Sequence, residues 1–337
     1  MKVRMHVAVE KLRLAKPFRI SGFVFETQEA VVVTLDDGTY RGIGEASGIY
    51  YLGDTAATMV AAIEAQRDAI ENGADRIALQ RLMPPGGARN AIDCAFWDLE
   101  AQRKGREVWE LAGLPSIRPL VTTFTLGADD PAVMAEGARA FASATALKMK
   151  LTGDLDVDIE RVRAVRAARP EPWLGVDANQ GYDVATLDRL MPTLVDAHVS
   201  LLEQPIRRGR EADLDGYRSP IPVAADESVL CLADIPGAAK RFNVINIKLD
   251  KCGGLTEALA MAHDARQLGL GVMVGNMVGT SLAMAPAFVV GQLCDIVDLD
   301  GPIFLAKDRE PGVTYDDGMV WCGNNVWGAP AASALAS

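Results

Sequence analysis

Histidine is scarce in this chain and cysteine is unpaired. The three histidines, His6, His198 and His263, are not spaced like a zinc ligand set. Zinc hydrolase chemistry and a Ser-His-Asp triad are therefore poorly supplied. The five cysteines, Cys94, Cys231, Cys252, Cys294 and Cys322, are odd in number and form no CxxC pair. They read as free thiols of a reducing compartment. No apolar run reaches the ~18 residues of a membrane span, and the N-terminus lacks a signal-peptide core, so a soluble cytoplasmic protein is expected. Excess positive charge is missing too. A net charge of -11 argues against nucleic acid and against an anionic membrane surface as partners. Glycine does cluster at Gly42, Gly44 and Gly48, but after a hairpin and without GxGxxG spacing. That excludes a dinucleotide fingerprint.

What the chain does have is charge at the ends of apolar, strand-like runs. Lys148 and Lys150 close Ala146–Lys150; Asp177, Glu203, Asp226 and Lys248 end later runs, and Asp298 and Asp300 end another. From Lys150 the first four steps are 27, 26, 23 and 22 residues. One βα unit needs about that length, and a β/α barrel keeps its active site at the C-terminal ends of its strands. A chain of 337 residues suits one barrel of about 200–250 residues plus a second domain. Residues 1–50 read as β, with Asp36-Asp37-Gly38 as a hairpin turn. Residues 55 to 111 read as helical, with Ile92, Phe96 and Leu99 on one buried face. The first barrel strand is expected at Leu120–Thr125 and the seventh at Val272–Asn276. Helices are expected around Val157, Val162 and Val165 and from Leu255 to Leu268. The pattern changes after Pro302, and Asp316-Asp317-Gly318 predicts a further hairpin. The expectation is an α/β chain in three parts: an α+β domain (1–116), a β/α barrel (117–303) and a C-terminal segment (304–337) that packs on the first domain.

Lys148 and Lys150 are two apart on a strand and share a face. Because lysine under a helix layer is costly, the barrel mouth is their expected place. Asp177, Glu203 and Asp226 offer hard oxygen ligands on successive strand ends, which suits Mg²⁺. Adjacent strand residues point oppositely, so only one of Asp226 and Glu227 is expected to face the metal; Asp226 is preferred because it directly ends its run, with Glu227 behind it, and Asn179 and Gln180 are expected to support the ligands or face the substrate. Lys248 is expected opposite Lys150 across the metal, with the ammonium form of both disfavoured. Lys251 reads as a loop charge. Asp298 and Asp300 share a face and would bind a cation, most simply a substrate ammonium.

These residues carry a family resemblance. Lys-x-Lys, Val176-Asp177-Ala178-Asn179, Glu203-Gln204-Pro205 and Ala225-Asp226-Glu227-Ser228 resemble the enolase superfamily, and more narrowly its muconate-lactonizing subgroup. The segments 246–255 and 298–302 are similar to the dipeptide epimerases, and 86–94 resembles the proteobacterial L-Ala-D/L-Glu epimerases. The resemblance implies a capping domain, completed by the C-terminal tail, over a modified (β/α)8-type barrel. It implies Mg²⁺ at Asp177, Glu203 and Asp226, with Lys150 and Lys248 as bases on opposite faces of the substrate α-carbon. Lys148 would contact the substrate carboxylate or tune Lys150. Thr125, Asn276 and Met277 would line the substrate site, and Asp298 and Asp300 would hold a dipeptide ammonium. Asn276 stands where relatives commonly carry cysteine. In such epimerases the loop after Pro17-Phe18 places an arginine for a glutamate side chain; in this sequence Phe25 stands there, beside Phe23 and Val24, with Arg19 nearby. The expected activity is Mg²⁺-dependent epimerisation of a dipeptide through an enediolate, with the apolar loop favouring a hydrophobic C-terminal residue. Racemisation of N-acyl amino acids and β-elimination are alternatives on the same groups, and a non-catalytic small-molecule-binding protein is a remote third. The expected partner is a small molecule, and a homo-oligomer stays open.

Overall fold

Long alternating runs at the N-terminus build an antiparallel sheet. The computed structural model describes residues 2–20 and 23–330. In it β1 (Arg4–Ile20) pairs with β2 (Phe23–Asp36), and β2 with β3 (Arg41–Ala46). The turn between β2 and β3 is where the sequence puts it: Asp36 Oδ1 accepts from Gly38 N–H at 2.7 Å, and Gly38 has φ +91°. The helix Gly87–Lys104 covers this sheet and buries Ile92, Phe96 and Leu99. The glycines of β3 explain themselves here. A Cβ at Gly42 would lie 2.1 Å from the Ala95 carbonyl, and one at Gly44 2.2 Å from that of Ala91. They permit close strand–helix packing, not phosphate binding.

Eight parallel strands follow, hydrogen-bonded in chain order. They are β5 (Phe124–Leu126), β6 (Ala146–Lys150), β7 (Trp173–Asp177), β8 (Leu201–Glu203), β9 (Val223–Ala225), β10 (Val244–Ile247), β11 (Gly271–Val274) and β12 (Ile296–Val297). The sheet curls until its ends meet, where Thr123 N–H donates to Val297 O at 2.9 Å. The helices expected between strands form at Leu155–Ala168 and Leu255–Gln267. The stretch expected as one first strand divides in two. Thr122 N–H bonds Gly318 O and Thr123 N–H bonds Val297 O, so β4 (Leu120–Val121) leaves the barrel and only β5 joins it.

β4 pairs instead with a C-terminal hairpin, β13 (Thr314–Asp316) and β14 (Met319–Trp321). Its turn residues Asp317 and Gly318 have φ +46° and +75°, the double left-handed geometry of a tight hairpin. The tail divides its contacts. Its hairpin extends β4, while Ala306 N–H bonds Arg13 O, Gly328 N–H bonds Asp98 Oδ1 and Trp327 Nε1–H bonds Ile43 O on the N-terminal domain. Residues 331–337 lie outside the described residues. Among those described, no helix is long and apolar enough to cross a membrane.

Candidate active site

Parallel register assembles the site. Lys150 stands beside Asp177, and Asp177 beside Glu203, so three neighbouring strands present charge in one row. Asp226 lies just past β9, and Lys248 directly follows β10. Ligand oxygens of Asp177, Glu203 and Asp226 all lie within 4.8 Å of one another, and all three side chains are buried. The two lysines bracket this triad: Lys150 Nζ donates to Asp177 Oδ2 at 2.5 Å and Lys248 Nζ to Asp226 Oδ2 at 2.6 Å.

A cavity with about 730 Å³ of atom-free space, its open mouth included, lies above them. Thr125, Lys148, Lys150, Lys248, Asn276, Met277, Asp298, Asp300 and Phe25 all line it. Every residue expected to touch substrate is thus brought to one cavity. Asn179 lines it as well, whereas Gln180 turns away to accept from Arg208 N–H. Sequence reasoning missed the aromatic roof. Tyr50 and Tyr51 line the cavity; Tyr50 packs edge-on to Phe25, with centroids 5.4 Å apart, and to Tyr51 at 5.3 Å. A tyrosine pair just after Gly48, on a loop leaving a strand, was the available signal. Val24 is exposed, and the side chains of Arg19 and Phe23 lie outside the description.

The eighth-strand pair is less free than expected. Asp298 accepts from Lys148 Nζ in an ion pair and from Thr123 Oγ1 at 2.5 Å. Asp300 Oδ2 accepts from Thr125 N–H at 2.6 Å. Burial would raise the Asp298 carboxyl, but Lys148 outweighs it and holds it low; burial and the Asp298 charge push Asp300 up to about 6. Both still face the cavity.

Two expectations need correction. Lys251 is no loop charge. It is 2% exposed, and its Nζ donates to Asp226 Oδ1 at 2.7 Å, Asp226 O at 2.6 Å and Asn246 O at 2.8 Å. Its depth comes from the short helix Leu249–Cys252, which turns it back under the site. Glu227 does not point away from Asp226. Strand alternation ends at Ala225, and both residues line the cavity. Burial first, then Asp226 and Asp177, push Glu227 up to about 8. Among the charges of the chain itself, burial opposes the Lys248 ammonium, but Asp226 and Glu203 outweigh burial and hold its pKa well above the usual lysine range. Six buried carboxyl groups around the site face four buried lysines.

The donor set fits a hard divalent cation. Burial and the Asp177 charge push Glu203 up to about 7, the mark of crowded carboxylates. Asn246 Nδ2 holds Glu203 Oε1 at 2.6 Å, while Glu203 Oε2, Asn246 Oδ1, Glu227 Oε2 and Asn179 Oδ1 are buried with no hydrogen-bond partner. Buried oxygens without donors are costly, and several in one place suit a cation and its water shell.

Comparison with known proteins agrees with this geometry. The family model for the mandelate racemase / muconate lactonizing enzyme N-terminal domain matches residues 2–113, and that for the enolase C-terminal domain-like unit matches 132–323. This chain belongs to the mandelate racemase/muconate lactonizing family of the enolase superfamily. Among similar members, the L-Ala-D/L-Glu epimerase of Escherichia coli is 36% identical over 305 residues, covering 90% of this chain and 95% of that one. The N-acetyl-D-glutamate racemase of a Pseudoalteromonas species is 42% identical over 238 residues, covering 71% and 75%. A crystal structure of an enolase family member from Agrobacterium tumefaciens, with homology to dipeptide epimerases and bound sodium and L-Ala-L-Glu, superimposes with a TM-score of 0.93. It is 41% identical and covers 97% of this chain and 100% of that one. The eight-stranded parallel barrel under an antiparallel cap is the fold of this family.

Proposed function

We propose that this family member is a Mg²⁺-dependent dipeptide epimerase that transfers a proton at the α-carbon of the C-terminal residue. The observation that carries the reading is the bracketing of Asp177, Glu203 and Asp226 by Lys150 and Lys248, on the second and sixth barrel strands. The relatives point to the same reaction: one is an L-Ala-D/L-Glu epimerase and another holds L-Ala-L-Glu. Asp177, Glu203 and Asp226 would hold the Mg²⁺. When bound, it supplies positive charge where negative charge develops on the substrate carboxylate.

The chain's own residues do the rest. Lys150 and Lys248 act as bases on opposite faces of the α-carbon: one takes the proton, the other returns one to the other face. Either acts as a base only after Nζ has lost a proton and its carboxylate partner. The base itself contributes typically ~10²–10⁴-fold, so charge stabilisation must supply much of the remainder. Lys148, buried 3.5 Å from Glu203, adds a fixed positive charge at the substrate carboxylate. Asp298 and Asp300 receive the substrate ammonium, with Thr125 and Asn276 fixing their loops; Asn276 Nδ2 donates to Asp298 O at 2.5 Å. Met277, Phe25, Tyr50 and Tyr51 enclose the substrate and exclude water. The division at 1–116, 117–303 and 304–337 is part of this proposal; the two family-model matches, over 2–113 and 132–323, fall on either side of its first boundary. The test is incubation with a dipeptide library in D₂O, with α-deuterium read by mass spectrometry. The reading requires deuterium in both epimers of at least one dipeptide.

A second reading has its own support. Asp298 is already paired with Lys148, and a relative 42% identical racemises an N-acetyl amino acid, which has no ammonium. N-acetyl amino acids in the same library decide between the two.

A further inference from the structure

The end of β3 ties the roof of the cavity to two barrel loops beneath it. Asp250 lies two residues after Lys248, in the short helix Leu249–Cys252. Its Oδ1 accepts from Ser47 N–H and from Gly48 N–H, each at 2.9 Å and fully buried. Asn90 bonds the same carboxylate. Ser47 Oγ donates to Val278 O at 2.7 Å. Glu45 accepts from Thr280 N–H at 2.7 Å and Thr280 Oγ1 at 2.5 Å, and Arg309 bridges Glu45 to Glu10. These bonds hold the loop 276–280, which carries Asn276 and Met277. Immediately after Gly48 comes the turn Tyr50–Leu52, whose Tyr50 and Tyr51 form the roof. Gly48 has φ +69°, and a Cβ there would meet Asp54 Cβ at 2.8 Å and Met59 Sδ at 2.9 Å, so the backbone is wedged at this point.

We propose that Asp250 and Ser47 are positioning residues that set the roof of Tyr50 and Tyr51 in register with Lys248 and the 276–280 loop. The proposal rests on the two-lysine reading above. Neither residue lines the cavity, so each acts through others. Simple docking of the two domains does not need them. Arg89 already bonds Cys252 O, Gly253 O and Glu257, and Trp97 Nε1–H bonds Thr256 Oγ1. What Asp250 adds is a link from the residue before the roof to the turn after one base, and to no group near Lys150. Hydrogen bonds from N–H groups to a carboxylate are among the stronger kind, and here two converge on one oxygen.

The test uses the full chain and the variants Asp250→Ala, Asp250→Asn and Ser47→Ala. Hydrogen–deuterium exchange should rise at residues 47–54 in Asp250→Ala, while Mg²⁺ affinity by calorimetry stays that of the parent. Its kcat should fall on the order of tenfold, within the ~10²-fold that an ångström of misplacement can cost. α-Proton exchange through Lys248 should fall more than exchange through Lys150, the two being distinguished in Lys150→Ala and Lys248→Ala backgrounds. Asp250→Asn keeps an acceptor oxygen and should recover most of the loss. Unchanged amide exchange at 47–54, or equal losses through both lysines, would overturn the proposal. If Asp250→Ala does not fold, Ser47→Ala decides: raised exchange at 47–54 with a higher KM supports it, and parental values for both refute it. If the parent protein turns over no dipeptide, the functional reading fails, and amide exchange still decides whether the link sets the roof.

Discussion

The floor and the roof of the cavity are built differently. The floor stands on strand ends in fixed register: Lys150, Asp177 and Glu203 are laterally paired, and Asp226, Lys248 and Lys251 interlock by hydrogen bonds shorter than 2.8 Å. The roof hangs from the capping domain, where Phe25 and Tyr50 meet edge-on above the barrel. Chemistry that requires sub-ångström placement sits on the rigid half. Groups that contact the variable part of a substrate sit on the capping half.

The comparison breaks most completely if the floor works without its cation. Chelation should abolish turnover and Mg²⁺ should restore it. Asp177→Asn or Glu203→Gln should weaken Mg²⁺ binding, measured by calorimetry, beyond the ~10–100-fold typical of an outer partner. A metal-free enzyme with parental kcat would contradict the account. Next in size is Lys251→Ala. Removing one partner of a buried ion pair costs about 3–5 kcal/mol, so denaturant unfolding should show a loss of that order. A change within error would mean Lys251 is not the counter-charge of Asp226. Third come Asp298→Asn and Asp300→Asn, which should raise KM for dipeptides more than tenfold, at ~2–5 kcal/mol for a buried charge pair. N-acetylated analogues should suffer much less; equal losses on both would favour the N-acyl racemase reading. The smallest effect concerns the roof. Phe25 and the tyrosines would strip water from a glutamate side chain, whereas an apolar one gains ~25 cal/mol per Å² buried. L-Ala-L-Leu and L-Ala-L-Phe should therefore exceed L-Ala-L-Glu in kcat/KM. If L-Ala-L-Glu wins by about tenfold, the scale of a pocket preference, the Phe25 argument fails and Arg19 becomes the candidate partner.

The same contrast decides what the sequence discloses. Charges ending apolar runs at near-constant steps have few structural explanations, so the floor is legible residue by residue. The fold follows from that spacing and from the hairpin turns at Gly38 and Gly318. The depth of Lys251 is not legible, because a short helix after β10 sets it. The orientation of Glu227 fails for a similar reason: alternation holds only within a strand, and β9 ends at Ala225. Tyr50 and Tyr51 owe their place to contacts of Ser47 and Gly48 with Asp250, about two hundred residues away in sequence. No local pattern encodes such a contact.

The central claim is that two lysines serve two faces of one carbon. The most direct test follows each antipode of a turned-over dipeptide separately in D₂O with the parent, Lys150→Ala and Lys248→Ala proteins. The account predicts that both variants lose epimerisation, while each still exchanges the α-proton of one antipode, and that the two variants retain opposite antipodes. Full epimerase activity in either variant, or exchange of the same antipode by both, would contradict it.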